Sequence, residues 1–171
     1  TLKTFNVILA NPPYSIKAWD RTAFENDPWG RNLWGTPPQG CADYAFQQHI
    51  QKSLDPKNGR CAILWPHGIA LGKNLFYNSA MESCILVCRT NKPTSRRNKV
   101  LFVNAFDDIR HDKTVSFLDE EHIQKILESF IEFEDREGFA AVVDKDDVLK
   151  GDASLLVTKY LKSSRVGNHG S

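Results

Sequence analysis

No stretch of this chain is long and apolar enough to span a membrane, and its opening residues do not read as a signal peptide. A reducing, cytoplasmic setting is expected. Net charge is nearly absent as well, with a formal value of +1 at pH 7. A domain that grips DNA unaided is usually clearly basic, so any action on DNA would need a partner to supply much of the hold. The four cysteines, Cys41, Cys61, Cys84 and Cys88, fall at no paired metal-ligand spacing. Cys61 lies inside an apolar strand pattern, and Cys84 and Cys88 flank Ile85-Leu86-Val87, so reduced core thiols are expected. There are no internal repeats, no low-complexity blocks and no phosphate-cradling glycine motif, which weighs against a generic nucleotide-binding protein. What remains is ordinary. The 171 residues, 41% hydrophobic and 25% charged, suit one soluble globular domain.

The sequence is organised around residues 5–14, Phe5-Asn6-Val7-Ile8-Leu9-Ala10-Asn11-Pro12-Pro13-Tyr14. Val7 to Ala10 form a continuous apolar run, the pattern of a parallel strand covered on both faces. Pro12 and Pro13 then remove two backbone donors and fix φ twice, so a ladder cannot continue. The residue before a proline is pushed towards extended geometry, which holds Asn11 out at the strand's carboxyl end. In open α/β sheets ligands bind at that end. Asn-Pro is also a common turn dipeptide, so a rigid strand-ending turn is the plainer reading of the same residues.

Asn11-Pro12-Pro13-Tyr14 resembles the catalytic motif of DNA methyltransferases that act on the exocyclic amine of adenine. An aromatic amine is a weak nucleophile because its lone pair is delocalised into the ring. The resemblance implies that the Asn11 side-chain oxygen and the Pro12 carbonyl accept the amine hydrogens, stabilising charge that develops in the transition state. Pro13 would enforce the corner, and Tyr14 would offer a face to a flipped-out base.

Further along, residues 15–40 form a long loop with Trp19, Trp29 and Trp34 among glycines and prolines. Its length suggests function or disorder. The tryptophans are expected to stack on nucleic acid, to meet a partner, or to pack on a part of the protein missing from this sequence. A helix is expected from Ala42 to Leu54, with Ala42, Ala45, Phe46, His49, Ile50 and Leu54 near one face and His49 packed and hydrogen-bonded. Asp55 to Gly59 should end it as a turn. Arg60 to Trp65 reads as a second buried strand cut by Pro66-His67-Gly68, completing a βαβ unit. His67 would then sit at a strand end, lining the cofactor or base pocket or serving only as a turn histidine. Ser83 to Arg89 and Lys99 to Ala105 are expected to pair as an antiparallel hairpin. Arg89, Lys92, Arg96, Arg97 and Lys99 cluster near its turn, as a phosphate contact or a solvated basic loop. Asp119 should cap a helix bearing the stripe Ile123, Ile126, Leu127, Phe130 and Ile131. A short strand over Gly138 to Val143, a short acidic helix over Asp144 to Lys150 and a frayed tail from Lys162 follow.

Taken in order, several strings are similar to the modification subunit of type I restriction systems. They are Asn11-Pro12-Pro13-Tyr14, Asp27-Pro28-Trp29-Gly30, Pro37 to Phe46, Leu64-Trp65-Pro66-His67-Gly68, Asn74 to Tyr77, Cys84 to Cys88 and Lys99 to Ala105. The likeness spans most of residues 5–145. One local departure is Cys41, where the family usually has asparagine. The family's glycine-rich strand and turn for S-adenosylmethionine, which precede its Asn-Pro-Pro motif, have no counterpart before Thr1. The family also places a helix and a strand between the points that meet here at Lys73 and Asn74. The chain therefore reads as a fragment, and an inactive one by itself.

The resemblance implies an α/β fold, the C-terminal half of a Rossmann-like methyltransferase domain with a terminal antiparallel hairpin and a helical extension. The expected parts are a partial catalytic domain over 1–105, the extension over 106–161 and a polar tail over 162–171. The implied activity is S-adenosylmethionine-dependent adenine N6-methylation of DNA. The implied partners are a specificity subunit, a restriction subunit and a second modification subunit. Asn11 is the one cofactor contact expected within the chain, and Tyr14, Trp29, Trp34 and His67 are the expected nucleic-acid contacts. The rival is a non-enzymatic assembly module that retains half of such a fold.

Overall fold

A computed structural model of the protein describes residues 1–71, 83–112, 115–151 and 153–161. Its elements are β1 (Val7–Ala10), α1 (Arg21–Glu25), α2 (Ala42–Lys52), β2 (Arg60–Leu71), β3 (Ser83–Arg89), β4 (Lys99–Val103), β5 (Arg110–Asp112), β6 (Val115–Phe117), α3 (Glu120–Glu132), β7 (Ala140–Asp144) and α4 (Lys145–Lys150). They fall into two compact units, Thr1–Trp65 with Ile85–Lys92, and Pro66–Cys84 with Pro93–Ser171.

In the first unit β1 and β2 pair in parallel, from Val7 opposite Arg60 to Ala10 opposite Ile63. With α2 between them they form the expected βαβ unit. Side chains alternate across a strand, so Ile8 and Ala10 turn towards the cluster of Ile50, Leu54, Cys61 and Ile63 under α2. Ile63 is fully buried there, and truncating such a residue to alanine costs about 3 kcal/mol. Val7 and Leu9 face the other way and remain 50% and 78% exposed. The expectation of a strand covered on both faces is thus corrected: α2 is the layer this unit supplies, and it covers one face only. The helix ends as expected. Asp55 Oδ1 accepts from the amides of Lys57 and Asn58 at 3.0 and 2.8 Å. A Cβ at Gly59 would lie 2.5 Å from the Asp55 carbonyl oxygen, so the return into β2 requires glycine.

Two strand expectations fail. β2 is not cut at Pro66 but runs on to Leu71. Its ladder with β1 ends at Ile63, so the backbone donor that Pro66 lacks is not needed on that side. The hairpin between β3 and β4 does not form either. β3 lies beside β2, and the Thr90 amide after β3 donates to the Gly59 carbonyl before β2 at 2.9 Å, so the two strands run antiparallel. Cys61 and Cys88 meet across this pair: the Cys88 thiol and amide both donate to the Cys61 sulfur, which draws the Cys61 thiol down to about 7.

β4 pairs instead with β7, antiparallel, from Lys99 opposite Asp144 to Val103 opposite Ala140. It is apolar on both faces, so it needs cover on both. Leu101 and Val103 pack with Ile126 of α3 around Ala105, Phe139 and Ala140. Val100 and Phe102 pack with Val148 of α4, Val157 and Tyr160. A local hairpin offers only one neighbouring strand; the distant partner β7 brings a layer for each face. The helices read from the sequence are present, α3 following Asp119 and α4 following Asp144. The basic turn is not a free basic loop throughout. Arg96 donates to the Phe130 carbonyl at 3.3 Å and to the Ile131 carbonyl, closing the carboxyl end of α3, and lies 4.8 Å over the Phe133 ring. Among the described residues, no helix is long and apolar enough to cross a membrane.

Candidate functional site

The corner is built from β1 outward. Asn11 is exposed at the strand end, and the Tyr14 hydroxyl donates to its Oδ1 at 2.7 Å. An amide oxygen has two lone pairs, so this contact fixes the orientation of the Asn11 side chain and leaves acceptor capacity on the same atom. The Tyr14 ring is half-buried and sits 6.3 Å from the Trp65 ring at 49°. Trp65 is held in turn, its Nε1 donating to Gln47 Oε1 of α2 at 3.1 Å. Past the corner, Ser15 takes a left-handed φ of 54°, and its amide donates to Asp43 Oδ1 at 3.0 Å. Asn11, Tyr14 and Trp65 are therefore brought together, as are Ser15 and the first turn of α2.

The loop over 15–40 is ordered by its own side chains. Trp19 Nε1 donates to the Gln39 carbonyl at 2.7 Å and the ring meets Phe24 of α1 edge-on. Gln39 returns bonds to the Lys17 and Trp19 carbonyls, and Arg21 Nε reaches the Pro37 carbonyl. Asp27 organises the Asp-Pro-Trp-Gly turn. Its carboxylate, with a 0% exposed side chain, accepts from the amides of Trp29 and Arg31 at 3.1 and 2.7 Å and from Arg31 Nε at 2.7 Å. The Arg31 side chain holds the Asp27 carboxyl below its ordinary range. Gly30, at φ 68°, supplies the left-handed step in this turn.

Trp29 and Trp34 remain 49% and 68% exposed. The Arg31 guanidinium lies 4.8 Å over the Trp29 ring. Trp34 is anchored through its backbone, where Gln48 of α2 accepts from its amide at 2.8 Å and donates to the Gly35 carbonyl at 3.0 Å. Tyr14 has Trp65 as its ring neighbour, whereas Trp29 and Trp34 are held by these other partners. Trp19 is a packing residue. His67 lies within β2, and its side chain is outside the described residues, as are the junction at Lys73 and the tail from Lys162. His49 is packed as expected but not fully bonded: its buried Nδ1 finds no partner among the described residues, and burial lowers its basicity. Sequence reasoning missed Asp43, Gln48 and Trp65 as supports of the site. The one available signal was their placement on α2 and β2, the two elements expected to flank β1.

The N-6 DNA methylase family model matches residues 1–71 and again 69–169. The chain belongs to that family. Among curated relatives, it is 29% identical over 180 aligned positions to the MjaVIII type I restriction enzyme methylase subunit of Methanocaldococcus jannaschii, covering 90% of this chain and 31% of that protein. It is 26% identical over 200 positions to the HindI type I restriction enzyme methylase subunit of Haemophilus influenzae, covering 98% and 44%. A crystal structure of a type I restriction-modification methyltransferase subunit from Streptococcus thermophilus superposes with a TM-score of 0.84 at 26% identity, over 94% of this chain and 39% of that one. The mixed α/β fold follows. The chain spans about a third of the length of the first curated relatives it matches.

Proposed function

We propose that this chain is part of an adenine-N6 DNA methyltransferase, the modification subunit of a type I restriction-modification complex acting in the cytoplasm. The observation that carries the reading is the Asn-Pro-Pro-Tyr corner: an exposed Asn11 with its oxygen fixed by Tyr14, directly after a parallel strand, in a chain of the N-6 DNA methylase family. In this reading Asn11 Oδ1 and the Pro12 carbonyl accept the two hydrogens of the adenine amine, Pro13 rigidifies the turn, and Tyr14 stacks on the flipped base. Exposed Trp29 and Trp34 contact the DNA, and His67 is read as a further nucleic-acid contact. A specificity subunit, a second modification subunit and a restriction subunit complete the complex and supply the electrostatic hold that a near-neutral chain lacks.

S-adenosylmethionine supplies the electrophilic methyl group when bound. The residues described fit contact with the transferring end of the cofactor: Asn11 stands out at the strand end with acceptor capacity. The partial catalytic domain over 1–105, its extension over 106–161 and its tail are read as portions of that larger protein. For the chain alone, the half-covered sheet marked by Val7 and Leu9 favours the second reading, an assembly module without turnover.

The test is methyl transfer to adenine in DNA by the complete parent protein with its specificity subunit, beside Asn11→Ala. Loss of transfer by about a hundredfold or more is expected. A folded, cofactor-supplied wild-type complex that transfers nothing would remove the enzymatic reading. The 171-residue chain assayed by itself is expected to be inactive.

A further inference from the structure

We infer that Asp43 is a positioning residue for the Asn11–Tyr14 corner, acting through the Ser15 amide. The inference rests on the function proposed above and adds a residue to its site. Pro12 and Pro13 fix the backbone on the entry side of Tyr14. On the exit side nothing in the residue types fixes it, because serine is free to continue in extended geometry. Yet Ser15 is left-handed, at φ 54°, a conformation that residues with a Cβ adopt only sparingly. The contact that selects it is the 3.0 Å bond from the Ser15 amide to Asp43 Oδ1, across 28 positions of sequence.

Asp43 is well placed to hold a backbone still. It lies in the first turn of α2, whose Ala42, Gln48 and Ile50 are buried. A carboxylate there also suits the partial positive charge of the helix start, which is the simpler reason for an aspartate at this point. The two roles separate by what they hold. A helix-start charge acts on α2 as a whole, whereas the Ser15 bond acts on the exit path of Tyr14. That path sets where the Tyr14 hydroxyl reaches, and the hydroxyl fixes Asn11 Oδ1 at 2.7 Å. The support therefore runs from α2 through Asp43, Ser15 and Tyr14 to the acceptor oxygen.

The experiment compares Asp43→Ala, Asp43→Asn and the wild type in the complete protein with its specificity subunit. Asparagine keeps a side-chain acceptor but not the charge; alanine keeps neither. Hydrogen exchange at the Ser15 amide is expected to rise about tenfold in Asp43→Ala, with kcat for DNA methylation falling about tenfold while KM for DNA stays within about twofold. Asp43→Asn should restore both. A double variant, Asp43→Ala with Ser15→Gly, should recover part of kcat, since glycine holds the left-handed turn without help. Unchanged Ser15 exchange in Asp43→Ala, or equal losses in the alanine and asparagine variants, would overturn the positioning role. If exchange responds as expected while the wild-type complex transfers no methyl group, the positioning role stands and the enzymatic reading falls.

Discussion

Two proline-marked turns in this chain carry residues suited to nucleic acid, and they use them in opposite ways. At the corner and the loop that follows it, side-chain acceptors hold the backbone while the indoles of Trp29 and Trp34 keep much of their surface outward. Asp27, Asp43 and Gln48 bind amides; Trp29 and Trp34 remain open to solvent. At the basic turn after β3, the conspicuous cation is taken up by the fold, because Arg96 closes α3 through the Phe130 and Ile131 carbonyls. Residue type alone does not mark a binding surface. What decides is whether the hydrogen-bonding capacity of the group is already engaged.

Substitutions at three residues test that contrast, in falling order of their effect on stability. Asp27→Ala should destabilise the first unit by about 2 kcal/mol, since it leaves the Trp29 and Arg31 amides and the Arg31 guanidinium without their shared acceptor. Thermal melting checks this, and a change within error would mean that the loop is not built on Asp27. The same carboxylate gives a pH signature. Its folded value lies below the ordinary 3.8, so its stabilisation is complete above that value and is lost as pH falls through the lowered one. Acid melting of wild type against Asp27→Asn should therefore converge at low pH.

Arg96→Ala should cost about 1 kcal/mol by uncapping α3 and leave the salt dependence of DNA binding by the complete protein unchanged. A shallower salt dependence would return Arg96 to the phosphate-contact reading. Trp34→Ala should change stability by less than about 0.5 kcal/mol yet weaken DNA binding by about 1 kcal/mol or more, as expected for a lost stacking face. An unaltered affinity would assign Trp34 to a protein partner instead.

The elements with strong local signals were legible from the sequence. Apolar spacing marked α2, the Asp119 cap marked α3, and the apolar runs marked β1, β2, β3 and β7. The corner was legible because two consecutive prolines leave the backbone few choices. The failures concern pairing and cover. A basic turn between two strands suggests a hairpin, but β4 carries apolar residues on both faces and is satisfied only by β7 with its flanking helices. The apolar run Val7 to Ala10 suggested burial on both sides, yet a run cannot say which layers are at hand. Asp43 and Gln48 escaped notice because their partners lie 28 and 14 positions away, beyond the reach of any local pattern.

The loop over 15–40 is fastened at its two feet, with Gln39 bonded to the Lys17 and Trp19 carbonyls and Trp19 returning a bond to Gln39. A segment closed at the base in this way behaves as a cassette. Its outer face can lengthen, shorten or exchange aromatic residues while the strand end and helix on either side keep their places. The outer face of the loop and the scaffold beneath it can then change independently.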